Sequence, residues 1–252
     1  GVRKMKPAGR VLAEFTLAGG TQNLQACSLH AKAKSRFLSL YGARLTDVAI
    51  DYIQDRGVGQ VKSLHASCYG GVLDVTAKID YLTRGQPFSL VIDAEDVMLE
   101  RLKMDTGFRN VEVSGDLKVY ANLKGYFKDF TRTTGLGRIT IVDGRLWELN
   151  LFKGIGTAIF TSDFKNVVFS DGSCDFKIAD QTFYADSIEL KGELLRLWGL
   201  GRFGFDKSLE VMIWSEITDQ AMDLSTDTQR GIAIAVQDAV TFEITGSFKQ
   251  PK

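Results

Sequence analysis

The sequence predicts a mainly-β protein, and three patterns in it carry that expectation. Apolar and polar residues alternate with period two through most of the chain, glycine-rich turn signals recur every ~8–12 residues, and helix signals are few. Successive side chains on a strand point to opposite faces, so such alternation gives a sheet with one apolar and one polar face, the usual antiparallel arrangement.

Taken in order, Val11, Ala13, Phe15 and Leu17 alternate with Leu12, Glu14 and Thr16. Leu73, Val75, Ala77 and Ile79 alternate with Asp74, Thr76 and Lys78; Leu117, Val119, Ala121 and Leu123 alternate with Lys118, Tyr120 and Asn122. Near the end Leu209, Val211, Ile213 and Ile217 alternate with Glu210, Met212, Trp214 and Glu216. Turns are expected at Gly19-Gly20, Tyr69-Gly70-Gly71, Asp143-Gly144, Asp171-Gly172 and Gly192-Glu193. A helix is expected over Asp93–Asp105, acidic at its start and carrying Arg101 and Lys103 late, with shorter helical connectors over Asn150–Phe160 and Thr228–Ala239.

Composition narrows the classes. The 252 residues are 44% hydrophobic and 25% charged, ordinary values for an ordered protein of one large or two ordinary domains. Lys plus Arg and Asp plus Glu both number 31, so no global charge draws the chain to nucleic acid, and no nucleic-acid partner is expected. Twenty-five glycines against three prolines suit turns between strands. Cys27, Cys68 and Cys174 read as small buried thiols, with one disulfide open. No run approaches the ~20 apolar residues of a membrane-spanning helix. The start at Gly1-Val2-Arg3-Lys4 and the end at Lys252 suggest a portion of a longer protein, with any targeting signal or anchor outside it.

The segments GRVLAEFTLAG (9–19) and GDLKVYANLKG (115–125) share one plan: glycine, alternating strand, glycine. Two successive sheet modules, 1–106 and 107–252, are therefore expected.

Chemistry is sparse. The two histidines, His30 and His65, sit in strands away from any cysteine or carboxylate at a metal-ligand spacing. There is no G-x-S-x-G elbow. The run GLGRITIVDG (135–144) lacks a P-loop ending and leads into a strand. Asp93, Glu95, Asp96 and Glu100 fit a helix start better than an acid/base pair. A parallel β-helix enzyme acting on polysaccharide is the enzymatic alternative, but the regular short coils it needs are missing. The expectation is a protein without catalytic residues, metal or cofactor.

The apolar parity is set by Leu73, Val75 and Ile79; Leu117, Val119 and Leu123; Ile139 and Ile141; and Phe176 and Ile178. It continues through Ile188 and Leu190, then Leu195, Leu197 and Phe203, and ends on Leu209, Val211 and Ile213. Periodicity alone leaves two roles for this face, half of a sandwich core or a working surface.

The order of motifs over 134–217 adds a resemblance. GLGRITIVDGRLWELNLF (135–152) is followed by FKNVVFSDGSCDFKIADQTFYADSIELK (164–191) and LRLWGLGRFGFDKSLEVMI (195–213). Together with GDLKVYANLKG (115–125) and FEITGSFKQP (242–251), this resembles the C-terminal region of AsmA-like proteins, relatives of TamB and of bridge-like lipid transfer proteins. Lys191 stands where the family pattern has a serine. The likeness covers about 107–251 well and 1–106 more loosely, through YGG (69–71) and FSLVID (88–93). It implies a long, curved, taco-like antiparallel sheet whose apolar groove, lined by the residues above, holds phospholipid or another acyl-chain lipid. It implies a periplasmic location, tethering to the inner membrane by a segment outside this chain, envelope proteins at either end and a part in outer-membrane biogenesis. A structural or assembly factor acting on outer-membrane proteins by strand addition is the alternative.

Overall fold

A computed structural model describes residues 8–19, 27–40, 42–106, 113–146, 169–193, 195–218, 241–247 and 250–251. The chain is mainly β: one open, curved, antiparallel sheet that does not close on itself, with a single short helix among the described residues. None of those residues forms a helix long and apolar enough to cross a membrane.

The strands are β1 (Ala8–Gly9), β2 (Leu12–Ala18), β3 (Ser28–Leu40), β4 (Ala43–Asp55), β5 (Val58–Cys68), β6 (Gly71–Asp80) and β7 (Pro87–Met98). After helix α1 (Leu99–Asp105) come β8 (Ser114–Tyr126), β9 (Asp129–Arg145), β10 (Phe169–Ala179), β11 (Thr182–Gly192), β12 (Leu195–Gly204), β13 (Ser208–Ile217), β14 (Thr241–Ser247) and β15 (Gln250–Pro251). From β3 onward sequence order is sheet order; β1 and β2 both pair with β3 at one edge. Where the connections are short, as at Arg56-Gly57, Tyr69-Gly70 and Phe127-Lys128, the meander follows because a tight turn can join only antiparallel neighbours.

The chain forms two compact units, one of residues 1–109 with 117–137 and one of 110–116 with 138–252. The segment 117–137 thus packs with the first unit, although the sequence motifs place it in the module beginning at 107.

Two expectations need correction, and a third falls on residues outside those described. The helix expected over Asp93–Asp105 is confined to Leu99–Asp105, and Asp93–Met98 ends β7. There Phe88, Leu90, Ile92 and Ala94 alternate, and β6 supplies a continuous ladder from Ile79↔Phe88 to Val72↔Glu95, which outweighs the helix-like charge pattern. The connectors at Asn150–Phe160 and Thr228–Ala239 lie outside the described residues. Asp143-Gly144 and Asp171-Gly172 are not turns but lie inside β9 and β10. Asp143 keeps the left-handed backbone of a turn residue (φ 51°), which in a strand interior makes a bulge.

Bulges recur, and each leaves two outward residues between inward ones. In the first unit the pairs are Thr46-Asp47 in β4, Lys62-Ser63 in β5 and Glu95-Asp96 in β7; in the second they are Val142-Asp143 in β9 and Asp186-Ser187 in β11. Register shifts mark Thr46/Ala49, Val61/Leu64 and Ala185/Ile188, while Asp47, Asp96 and Asp143 have φ of 51°, 54° and 51°. An extra residue sharpens local twist and bends the strand. The β12–β13 ladder runs without a break from Leu195↔Ile217 to Phe203↔Leu209, and here Gly199 and Gly201 bring the strands close. A Cβ on Gly199 would lie 2.8 Å from the Met212 carbonyl oxygen.

Gly9 and Gly115, which open the two similar segments, share a backbone role. Their φ values are 148° and 114°, and a Cβ on Gly115 would lie 2.6 Å from Gly144 Cα while one on Gly9 would strike the Phe37 carbonyl.

The outward face carries cross-strand charge pairs. His30 Nε2 lies 3.0 Å from Asp51, His65 Nδ1 2.9 Å from Asp74, Lys118 Nζ 3.1 Å from Asp96, and Arg202 pairs with Glu210. Arg138 grips Asp175 through Nε and Nη2 at 2.5 and 2.6 Å. That hydrogen-bonded guanidinium holds the Asp175 carboxyl below its usual range, against a small opposing effect of burial. The folded-state pKa is the lower one, so any stabilisation is present above the unfolded pKa and is lost as pH falls through the folded value. An NMR titration should find Asp175 ionising below the ordinary carboxylate range and returning toward it in Arg138→Gln.

Candidate functional site

The inward face differs along the first unit. At one end Leu45, Val48, Ala66, Cys68 and Val97 form a buried cluster, backed by Leu38, Leu64, Leu73, Leu102 and Leu117. Helix α1 joins it through Leu102 and is held by Asp105, which accepts from Arg44 Nε at 2.5 Å and Tyr69 Oη at 2.9 Å. Side chains fill this end as in an ordinary core.

Toward the other end the face is not filled. A recess of about 530 Å³ lies over Gly59, Val61, Ala77, Ile79, Leu90 and Leu123, walled by Tyr52, Tyr81, Phe88, Phe127, Phe130 and Thr133, with Lys78 and Ser89 at its margin. Its volume falls within the range of small-molecule sites, ~300–1,000 Å³. Gly59 makes room for the two tyrosines, since a Cβ there would lie 2.7 Å from Tyr81 Cε2.

One wall carries a short polar chain. Tyr52 Oη donates to Gln54 Oε1 at 3.0 Å and lies 3.2 Å from Tyr81 Oη, while Gln54 Nε2 donates to the Cys27 carbonyl at 3.3 Å. With the Tyr52 proton committed to Gln54, Tyr81 is the donor to Tyr52. Burial, then the hydrogen bond to Tyr81, push the Tyr52 phenol above its ordinary pKa, so it stays neutral. The recess is thus hydrocarbon-lined, with the tyrosine hydroxyls at one side.

The second unit has its own recess of about 250 Å³. Ile139, Ile141, Ile188, Leu190, Leu197, Phe203, Val211 and Ile213 line it, with Leu146, Cys174, Phe183, Ala185 and Ile244 among the others. Phe176 is buried and stacks on Phe183, ring centroids 4.7 Å apart. Burial pushes the Cys174 thiol up to about 11, which leaves it a protonated, apolar part of the wall. Cys27 and Cys68 are buried and Cys174 is half-buried, and no disulfide joins the three.

The sequence-derived residues therefore meet in two groups. In the first unit Ile79 and Leu123 line the recess and Leu73 and Leu117 back the filled end; Val75 and Val119 share their parity and are half-buried between exposed outward neighbours. In the second, the eight lining residues are joined on the same face by Phe176, Ile178 and Leu209. The Leu195 side chain lies outside the described residues. Alternation alone missed Tyr52, Val61, Tyr81, Phe88, Leu90, Phe127 and Phe130, and in the second unit Phe183, Ala185 and Ile244. A usable signal was present for some: apolar residues three apart around two outward ones, as in Val61–Leu64 and Ala185–Ile188, mark a bulge that preserves the inward face.

The histidines sit on the outward face with Asp51 and Asp74 as partners, and no group of three or more His, Cys, Asp or Glu among the described residues could hold a metal ion. No protein-family model matches the chain, and neither a curated protein nor a solved structure matches it.

Proposed function

We propose that this chain holds or conducts the acyl chains of phospholipid along its apolar inward face, without catalysis, as a periplasmic segment of an AsmA-like protein serving outer-membrane biogenesis. The observation that carries this reading is the recess of about 530 Å³ beside a filled core: a largely apolar space with tyrosine hydroxyls on one wall suits hydrocarbon. Moving hydrocarbon into water costs ~0.8 kcal/mol per CH₂, so a chain of about sixteen carbons faces ~12 kcal/mol on leaving a bilayer unaided. An apolar sheet face removes much of that barrier. Strands of ten residues are about 33 Å long at the usual rise, enough to shelter such a chain.

Benzoylphenylalanine at Phe88 and Phe203 should photocapture phospholipid in cells, and the same group at outward Lys124 and Arg202 should not. Equal capture at inward and outward positions would sink the proposal.

One observation favours a second reading, assembly by strand addition. Every residue of β2 is exposed, Leu12 and Phe15 largely so, and β3 is its sole strand partner among the described residues. An edge of this kind can template another strand. Leu12→Lys with Phe15→Lys should abolish capture of a partner strand and leave lipid capture at Phe88 unchanged; loss of lipid capture alone would count against an assembly role.

A further inference from the structure

Three connections of the first unit lie at the recess end of the strands: β4–β5 at Arg56-Gly57, β6–β7 over 81–86 and β8–β9 at Phe127-Lys128. They and the start of β9 carry large apolar side chains in the open, with Leu82 57%, Phe127 56% and Phe130 59% exposed. Turn tips are ordinarily polar, so three such residues together call for an occupant.

The tip is held in place. Phe127 N donates to the Gln86 carbonyl at 3.0 Å and Lys128 N to the Gly85 carbonyl at 3.3 Å, tying one turn to the next. Leu82 packs over Gly57, whose φ of 80° and lack of a Cβ leave the space it occupies. Phe127, Phe130 and Phe88 form a chain of ring contacts at 5.7 and 6.0 Å, and Arg132 lies 4.2 Å over the Tyr126 ring.

The charges around it are sorted. Asp80 is turned onto Leu82 N, Thr83 N and Thr83 Oγ1, Asp129 onto Thr131 N and Oγ1, and Asp55 is engaged by Ser28 and Arg56. Arg84 and Lys128 are exposed and carry no ion pair among the described residues. Aromatic and aliphatic side chains flanked by cations match the interface of an anionic bilayer, where rings and leucine enter the headgroup boundary and Lys and Arg meet phosphate.

We propose that this turn end docks on an anionic membrane surface, with Leu82, Phe127 and Phe130 inserted and Arg84 and Lys128 on lipid phosphates. The docking is independent of whether the recess carries lipid.

Sedimentation of the full chain with vesicles tests it, using phosphatidylcholine alone or phosphatidylcholine and phosphatidylglycerol in equal parts. The wild type should bind the mixed vesicles more tightly, and added salt should weaken that preference. Arg84→Gln with Lys128→Gln should weaken binding to mixed vesicles by ~30-fold, about fivefold for each lost cation. Leu82→Ser should weaken it by ~10-fold. None of these three residues lines the recess, so photocapture of lipid at Phe88 should be unchanged and an unchanged melting curve will report folding. Absence of wild-type binding, or either variant binding like the wild type, overturns the proposal; lost capture at Phe88 with intact vesicle binding would instead strike the lipid-holding reading.

Discussion

Deleting Asp186 from β11 should leave the sheet folded, whereas deleting Met212 from β13 should cost ~1.5–6 kcal/mol. Both remove one residue from the middle of a strand, and simple reasoning about sheets makes them equivalent. They differ because β11 is bulged and β13 is not. Around Asp186 the partners run Phe176↔Ala185 and then Asp175↔Ser187, so deletion joins these pairs into a regular ladder. Phe183, Ala185, Ile188 and Leu190 all stay inward. What is lost is the bend.

At Met212 the ladders to both neighbours are continuous, from Leu195↔Ile217 to Phe203↔Leu209 on one side and from Ser208↔Ser247 to Trp214↔Thr241 on the other. A one-residue loss turns one half of β13 over. Either Leu209 and Val211, each 3% exposed, move to solvent and Glu210 turns inward, or Ile213 and Ser215 do and Trp214 replaces them. At ~1.5–3 kcal/mol for each apolar side chain, the first alternative costs ~3–6 kcal/mol before that of a buried carboxylate, and the second ~1.5–3 kcal/mol for Ile213. Against a typical total of ~5–15 kcal/mol, much of the stability would go. Urea denaturation of the two deletions checks this, and equal midpoints would show that the bulge is not a spare residue in the ladder.

Gly135→Ala should destabilise the first unit by ~1–3 kcal/mol or more, while Gly59→Ala should cost little and instead narrow the recess. At Gly135 the new Cβ would strike the Asn122 carbonyl oxygen and lie 2.9 Å from Leu123 Cα. Both are backbone of the adjacent strand, and they move only if the β8–β9 pair opens. At Gly59 the obstacles are Tyr52 Oη and the Tyr81 ring, the far ends of side chains that can swing aside. The swing would break the 3.2 Å hydroxyl contact and bring the rings into the space over Ile79. Thermal melts should therefore separate the variants in one direction and lipid capture at Phe88 in the other. A Gly135→Ala melt matching wild type would mean that the strands have slack that their spacing does not show.

Alternation in segments such as Leu73–Ile79 and Leu117–Leu123 was enough to read the fold class, because side-chain direction in a strand follows from local geometry. It failed where a second partner altered the outcome. Asp93–Met98 looks helical until β6 is beside it, and Asp143-Gly144 looks like a turn until its neighbours are seen to continue through it. The candidate site was half legible. Ile79, Leu123, Val211 and Ile213 could be named from parity, but Phe127 sits on a turn with no period, and the Tyr52–Tyr81 contact joins residues 29 apart through two intervening strands.

By itself the sequence determined which residues share a face, since that is a property of consecutive backbone units. Only the tertiary structure decided what the face encloses. In the first unit one end is filled by Leu45, Val48, Ala66 and Val97 under a helix, and the other stays open beneath Tyr52, Tyr81 and Phe130. Filling depends on where side chains from distant strands converge, and on the bulges at Asp47, Lys62 and Asp96 that bend those strands, neither of which a period of two can encode.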